Sequence, residues 1–169
     1  MSAKIKRLTQ GALIAALYVV LGMLQNLLLP GSASMAIQFR VAEALCVLSL
    51  FTPTAIWGLS VGCLLFNVTQ AGALPLDFLV GTAATALSAL SMYVLSGCQW
   101  RGSRILALLM PALWNALLVG WELSVYVGGG FFINALYVAI GEAAVLLVLG
   151  SALYAVIKNR KLDIYLFGK

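Results

Sequence analysis

Four of the five acidic residues, Glu43, Asp77, Glu122 and Glu142, stand inside long apolar runs; only Asp163 lies in a polar tail. An ionised carboxylate at the centre of a lipid-embedded helix costs roughly 2.5–3.5 kcal/mol on insertion scales. A chain that concentrates its acids there is expected to use them, as a binding site or an ion path lined by negative groups. The runs around them leave no soluble alternative. The chain is 63% hydrophobic and 9% charged, with a mean hydropathy of +1.07, whereas soluble domains carry about 25% charge. The expectation is an all-α integral membrane protein, with residues 1–169 forming one transmembrane domain.

Hydropathy and breakers divide the chain into six spanning segments, at 8–29, 37–52, 54–71, 76–96, 104–127 and 134–157. Pro30-Gly31-Ser32 ends the first. Thr52-Pro53 separates the second and third, with Pro at a first helical turn, where its missing donor is harmless. Gly72 to Pro75, Gly97 to Gly102 and Gly128-Gly129-Gly130 mark the remaining connections. The opening Lys4-Ile5-Lys6-Arg7 resembles the start of a signal peptide. The apolar run behind it exceeds the 7–15 residues of such a segment, so it is read as the first spanning helix. Nine of the ten basic residues fall in the two tails and the 97–104 loop; 30–36, 72–75 and 128–133 carry none. That asymmetry predicts both termini cytoplasmic.

With this layout the polar residues gather in the outer half of the bilayer. Gln38, Arg40 and Glu43 open the second segment, Asn67 closes the third, Asp77 opens the fourth, and Glu142 lies in the outer half of the sixth. Asn115, Val119, Glu122 and Tyr126 form one stripe of the fifth at i, i+4, i+7 and i+11. The inner half holds little beyond hydroxyls, so the pattern predicts a one-sided pocket rather than a pore, which needs polar groups at every depth. Arg40 and Glu43 stand three apart and are candidates for a pair. The other three acids have no basic partner in the helices: either some are protonated, or they await a cationic or donor-rich ligand. Trp121 and Tyr137 fit equally a pocket wall on which a flat ligand stacks and an interfacial aromatic belt.

Several function classes are excluded. There is no His, no CxxC pair among Cys46, Cys63 and Cys98, and no Walker loop, so neither a common zinc site nor ATP binding of that kind is expected in this chain. No nucleophile–base set is evident, so no catalytic residue is assigned. The formal net charge of +5 is a topology signal rather than a nucleic-acid footprint. Small residues serve close helix approach: Gly11, Ala12, Ala15 and Ala16 form a candidate partner face on the first helix, and Gly58 and Gly62 form a GxxxG on the third.

The chain resembles the QueT queuosine-precursor transporter family, among the substrate-binding S components of energy-coupling factor (ECF) transporters. The resemblance is carried by Ala12-Leu-Ile-Ala-Ala-Leu-Tyr18, Ile37-Gln38-Phe39-Arg40-Val-Ala-Glu43-Ala-Leu45, Gly58-Leu-Ser-Val-Gly62-Cys-Leu-Leu-Phe-Asn67, Asp77-Phe-Leu-Val-Gly81-Thr82, Pro111-Ala-Leu-Trp-Asn115 and Tyr137-Val-Ala-Ile-Gly141-Glu142. It implies a six-helix S-component fold with an outward pocket for a 7-deazaguanine base such as 7-aminomethyl-7-deazaguanine or queuine. It also implies docking of the first helix on a transmembrane coupling subunit with two ATPase subunits, which use the ATP, and a place in the bacterial cytoplasmic membrane. Gln38, Arg40, Glu43, Asn67, Asp77, Asn115, Trp121, Glu122, Tyr137 and Glu142 are the site residues expected. The rival readings are a self-contained ion-coupled carrier, whose usual inverted repeats and broken helices are not visible here, and an S component for another vitamin.

The topology is directly testable. A cysteine placed at Ser34 or Gly129 should react with a membrane-impermeant maleimide applied from outside, and native Cys98 should not. External labelling of Cys98 would overturn the layout.

Overall fold

In the computed structural model, which describes residues 2–32, 38–70, 76–98 and 102–167, every regular element among the described residues is helical. α1 spans Ala3–Leu28 and is capped by the Ser2 hydroxyl, which accepts from the Ile5 N–H at 3.4 Å. A 3-10 helix follows at Val41–Leu50, then α2 (Thr54–Thr69), α3 (Asp77–Ser96) and α4 (Ser103–Tyr126). α5 (Phe131–Val145) continues through a π-helical turn, Leu146–Gly150, into α6 (Ser151–Asn159), and a second π turn spans Asp163–Phe167. The predicted connections at 33–36 and 72–75, together with Ile37, Ala71, Arg101 and Lys169, lie outside the described residues.

Four stretches among the described residues are long and apolar enough to cross a membrane: Ala3–Leu28, Asp77–Ser96, Ser103–Tyr126 and Phe131–Asn159. The other two are short. The 16 residues of α2 rise about 24 Å at 1.5 Å each, less than the ~30 Å of hydrocarbon. The predicted second segment is shorter still. Its helix has 10 residues, and 3-10 winding stretches these by about 5 Å over an α-helix of equal length. Ahead of it, residues 38–40 carry no helical turn.

Close packing is set by small residues. A Cβ on Gly58 would stand 2.8 Å from the Gly11 carbonyl oxygen, and one on Gly62 would stand 2.9 Å from that of Ala15 and 2.7 Å from Tyr18 Cβ. The GxxxG of α2 is therefore an internal seam on which α1 lies. The small-residue face expected on the first helix divides in two. Gly11 and Ala15 are buried against α2, whereas Ala12 and Ala16 remain exposed. Each step along an α-helix rotates the side chain by about 100°, so the pairs 11/15 and 12/16 face different ways. Gly120 of α4 makes a similar seam with α5, where an added Cβ would lie 2.7 Å from Ala135 Cα. The main core gathers Tyr18, Cys46, Leu59, Cys63 and Met92. A smaller cluster of Ala84, Val119, Leu123 and Val138 joins α3, α4 and α5.

The Gln10 side chain donates to the Leu166 carbonyl, so both ends of the described chain lie at one end of the bundle. The Asp163 carboxyl there accepts from Lys158 Nζ at 2.7 Å, and that hydrogen bond holds it below the usual carboxylate range. The opposite, far end carries Gln25, residues 38–40, Asn67 and Asp77.

The seam predicts a contrast between two glycines. Gly62→Ala should destabilise the protein by about 1–3 kcal/mol, the usual cost of overpacking. Gly97→Ala, whose Cβ would meet only the Val94 carbonyl at 3.5 Å, should stay within about 0.5 kcal/mol of the parent. Thermal unfolding in one detergent compares them; equal behaviour would refute the seam.

Candidate ligand-binding site

A non-helical strand of backbone inside a membrane bundle needs its N–H and C=O groups satisfied by protein. Residues 38–40 meet that need through one side chain of α1. Gln25 Nε2 donates to the Phe39 carbonyl, and Gln25 Oε1 accepts from the Val41 N–H at 2.8 Å. Phe39 N–H also reaches the Ser32 carbonyl at 2.9 Å. The strip crosses α5 at Gly141, where an added Cβ would collide with the Gln38 carbonyl oxygen. Gln38 and Arg40 are thereby buried, and Glu142 follows directly on the crossing point.

Arg40 does not pair with Glu43. It precedes the 3-10 helix with φ −98° and ψ 86°, so the i, i+3 geometry of a helix does not apply to it. Its guanidinium donates to Asn67 Oδ1 at 3.3 Å and to Cys63 Sγ at 3.5 Å. Gly81 of α3 leaves the room: a Cβ there would meet Asn67 Nδ2 at 2.6 Å and the guanidinium at 3.4 Å. Asn67 in turn donates to the Asp77 carbonyl at 3.0 Å, tying the end of α2 to the start of α3.

Glu43 is satisfied by others. Its Oε1 accepts from the Tyr18 hydroxyl at 2.6 Å and from the Thr85 hydroxyl at 2.6 Å, and its Oε2 accepts from Cys46 Sγ at 3.0 Å. Three donors on α1, α3 and its own helix converge on one fully buried carboxylate.

Glu122 and Glu142 are also 0% exposed, and their situation is the reverse. Neither oxygen of either carboxylate has a hydrogen-bond partner among the described residues, and neither does Asn115 Oδ1. Asn115 uses its amide on the Pro111 carbonyl at 3.0 Å, which leaves the oxygen free. Asn115 and Glu122 share the inward stripe of α4, and Glu142 comes from α5. The groups form one electrostatic cluster: Arg40 is within Coulombic reach of Glu43 and Glu142, and both Arg40 and Asp77 are within reach of Glu122. One guanidinium thus faces several carboxylates, two of which have every acceptor open. Asp77 itself is half-buried in the first turn of α3, where the helix dipole favours a negative charge.

The two aromatics that fitted either a pocket wall or an interfacial belt are not enclosed with these groups. Trp121 is 48% exposed and Tyr137 38%, both turned to the outside of the bundle, while their neighbours Glu122 and Val138 point in. A half-buried indole is that of Trp114, whose Nε1 donates to Ser91 at 2.9 Å between α4 and α3. Tyr18, Gln25, Cys46, Thr85, Gly81 and Gly141 belong to the site's construction without having been singled out for it from the sequence. Gln25, an amide on an apolar helix, carried a signal, and Tyr18, Gly81 and Gly141 stand in the stretches that carry the resemblance. Among the described residues no group of three or more His, Cys, Asp and Glu is placed to hold a metal ion.

A family model described as QueT transporter matches residues 8–159 of the chain. No curated protein and no solved structure gives a significant match.

The two classes of carboxylate should separate in stability measurements. Tyr18→Phe and Thr85→Val each remove a donor from Glu43 and should cost about 1–2 kcal/mol. Glu122→Gln and Glu142→Gln keep shape and remove a buried acid that has no donor among the described residues, so they should leave stability unchanged or raise it. Destabilisation by the two Gln variants as large as that of Tyr18→Phe would place these acids in the structural network instead.

Proposed function

Since the chain belongs to the QueT transporter family, a family of transporters and not of enzymes, we propose that it is the substrate-binding S component of an ECF-type importer that captures a 7-deazaguanine base at the outer face of the bacterial membrane. The observation that carries this reading is the set of open acceptors on Glu122, Glu142 and Asn115 in a fully buried setting. A 7-aminomethyl-7-deazaguanine offers the complement: a cationic amine on one side, and a ring N–H beside an exocyclic amine on the other. A carboxylate accepts two adjacent N–H donors as it accepts a guanidinium fork, and a cation offsets the charge that Arg40 alone leaves unmatched.

In this reading Glu43 does not touch the ligand. It locks α1, α3 and the 3-10 helix together and so fixes the floor on which Arg40 and residues 38–40 rest. Gln38, Asn67 and Asp77 border the site at the far end, and Trp121 and Tyr137 stand in the interfacial belt. With both termini cytoplasmic and six helical passes, that end faces outward. Binding alone cannot concentrate a solute, so the energy comes from a coupling subunit and its two ATPases. Ala12 and Ala16, the exposed half of the small-residue stripe, are the contact left for that subunit.

Glu122→Gln or Glu142→Gln should weaken 7-aminomethyl-7-deazaguanine binding at least tenfold in calorimetry, since removing one partner of a buried charged contact costs about 2–5 kcal/mol. Ala12→Trp or Ala16→Trp should leave that affinity intact and abolish uptake in cells. Unchanged affinity in both Gln variants would refute the site. Tight binding of thiamine, riboflavin or biotin would move the chain to another specificity. Accumulation by the isolated chain in liposomes under a proton or sodium gradient would favour an ion-coupled carrier over the S-component assignment.

A further inference from the structure

The end of the bundle opposite this site carries a second, unrelated construction. After α6 the chain reverses at Lys161, which adopts φ 53°, and the Asp163–Phe167 turn folds back onto the first turns of α1. The Phe167 ring stacks on Phe51 with centroids 6.3 Å apart and planes 13° apart, and Phe51 also stacks with Tyr154 at 5.6 Å. Lys158 stands 5.3 Å over the Phe51 ring while pairing with Asp163. Leu162 and Phe167 join the main core, and the Gln10 side chain ties Leu166 to α1. Residues 162–167 are thus held against the bundle from both flanks.

The fixed tail turns apolar side chains outward. Ile164, Tyr165 and Leu166 are 55%, 78% and 49% exposed, and Ile5 and Leu8 at the start of α1 are exposed too. It also gathers charge. Arg160 and Lys161 are exposed and join Lys4, Lys6 and Arg7 at the same end. The only acid outside the apolar segments is Asp163, which Lys158 occupies. These cations are unmatched by any acid among the described residues.

We propose that the fold-back and the first turns of α1 together form a docking surface for anionic lipid headgroups. α1 has 26 residues and is about 39 Å long, longer than the ~30 Å of hydrocarbon. Its first turns therefore stand at headgroup level. Tyr165 has the amphipathic ring that settles at that depth. Basic clusters next to a spanning helix attract the negative surface of anionic lipids, and apolar contacts combined with charge give the two signals that stable interfacial binding needs. The net positive charge of the patch selects this occupant over a neutral one. The inference rests on the membrane location alone, and not on which solute the far end binds.

Hydrogen–deuterium exchange of the full chain in nanodiscs tests it. Replacing part of the phosphatidylcholine with phosphatidylglycerol should slow exchange of residues 160–167 and of the first turns of α1 several-fold. Raising the salt should reverse the effect. Arg160→Gln/Lys161→Gln should lose the difference between bilayers while unfolding at the parental temperature. Phe167→Ala, which keeps every cation and releases the turn, should lose it too. Equal exchange in both bilayers would overturn the proposal. Protection of residues 160–167 that appears only on adding a cytoplasmic protein partner, whatever the lipid, would overturn it in favour of a protein-docking surface.

Discussion

Glu43 remains buried in an apolar bundle because three donors from three different elements meet on its carboxylate. Every other feature of the far end follows from keeping that convergence intact. Tyr18 reaches Glu43 only because α1 lies tight on α2 at Gly58 and Gly62; a side chain on Gly62 would strike Tyr18 first. Thr85 reaches it from α3, so α3 is drawn against the 3-10 helix. Hydrogen bonds to a charged acceptor are about twice as strong as neutral ones. The network holds α1, the 3-10 helix and α3 in one register, and their ends fix where the strip at 38–40 crosses.

The strip shows how a membrane protein accommodates irregular backbone. Lipid offers no donor or acceptor, so non-helical backbone survives at depth only when buried in protein. One glutamine supplies both a donor and an acceptor to the strip, and one glycine, Gly141, gives it passage over α5. The outcome is a short helix with its polar head folded into the bundle, which places Arg40 among carboxylates on three neighbouring elements.

Within this frame the acids divide by what already touches them. Glu43 is spoken for, whereas Glu122, Glu142 and the Asn115 oxygen have no partner among the described residues. Buried polar groups are nearly always paired in native structures, so open ones in the folded chain mark the place where pairing comes from elsewhere. A ligand that satisfies them stabilises the folded state through mass action. Stability with and without ligand therefore reads the same residues from two directions.

The sequence by itself determined the class of molecule. Runs of apolar residues and breaker clusters mark out the helical stretches, and nine of the ten basic residues fall in the tails and one loop, because lipid thickness and hydropathy act locally along the chain. It also determined which polar groups lie in the greasy segments, since no other place was left for them. Only the tertiary structure decided which of those groups are satisfied. Tyr18 and Glu43 are 25 residues apart, and Thr85 and Glu43 are 42 apart, so no local pattern announces their meeting. It decided that Arg40 turns from Glu43 to Asn67, because the backbone before the 3-10 helix is not helical. It turned Trp121 and Tyr137 outward and divided the small stripe of α1 between an internal seam and a free face. Rotation about a helix axis is fixed by what packs on either side, and hydrogen bonds depend on distances that sequence spacing does not encode.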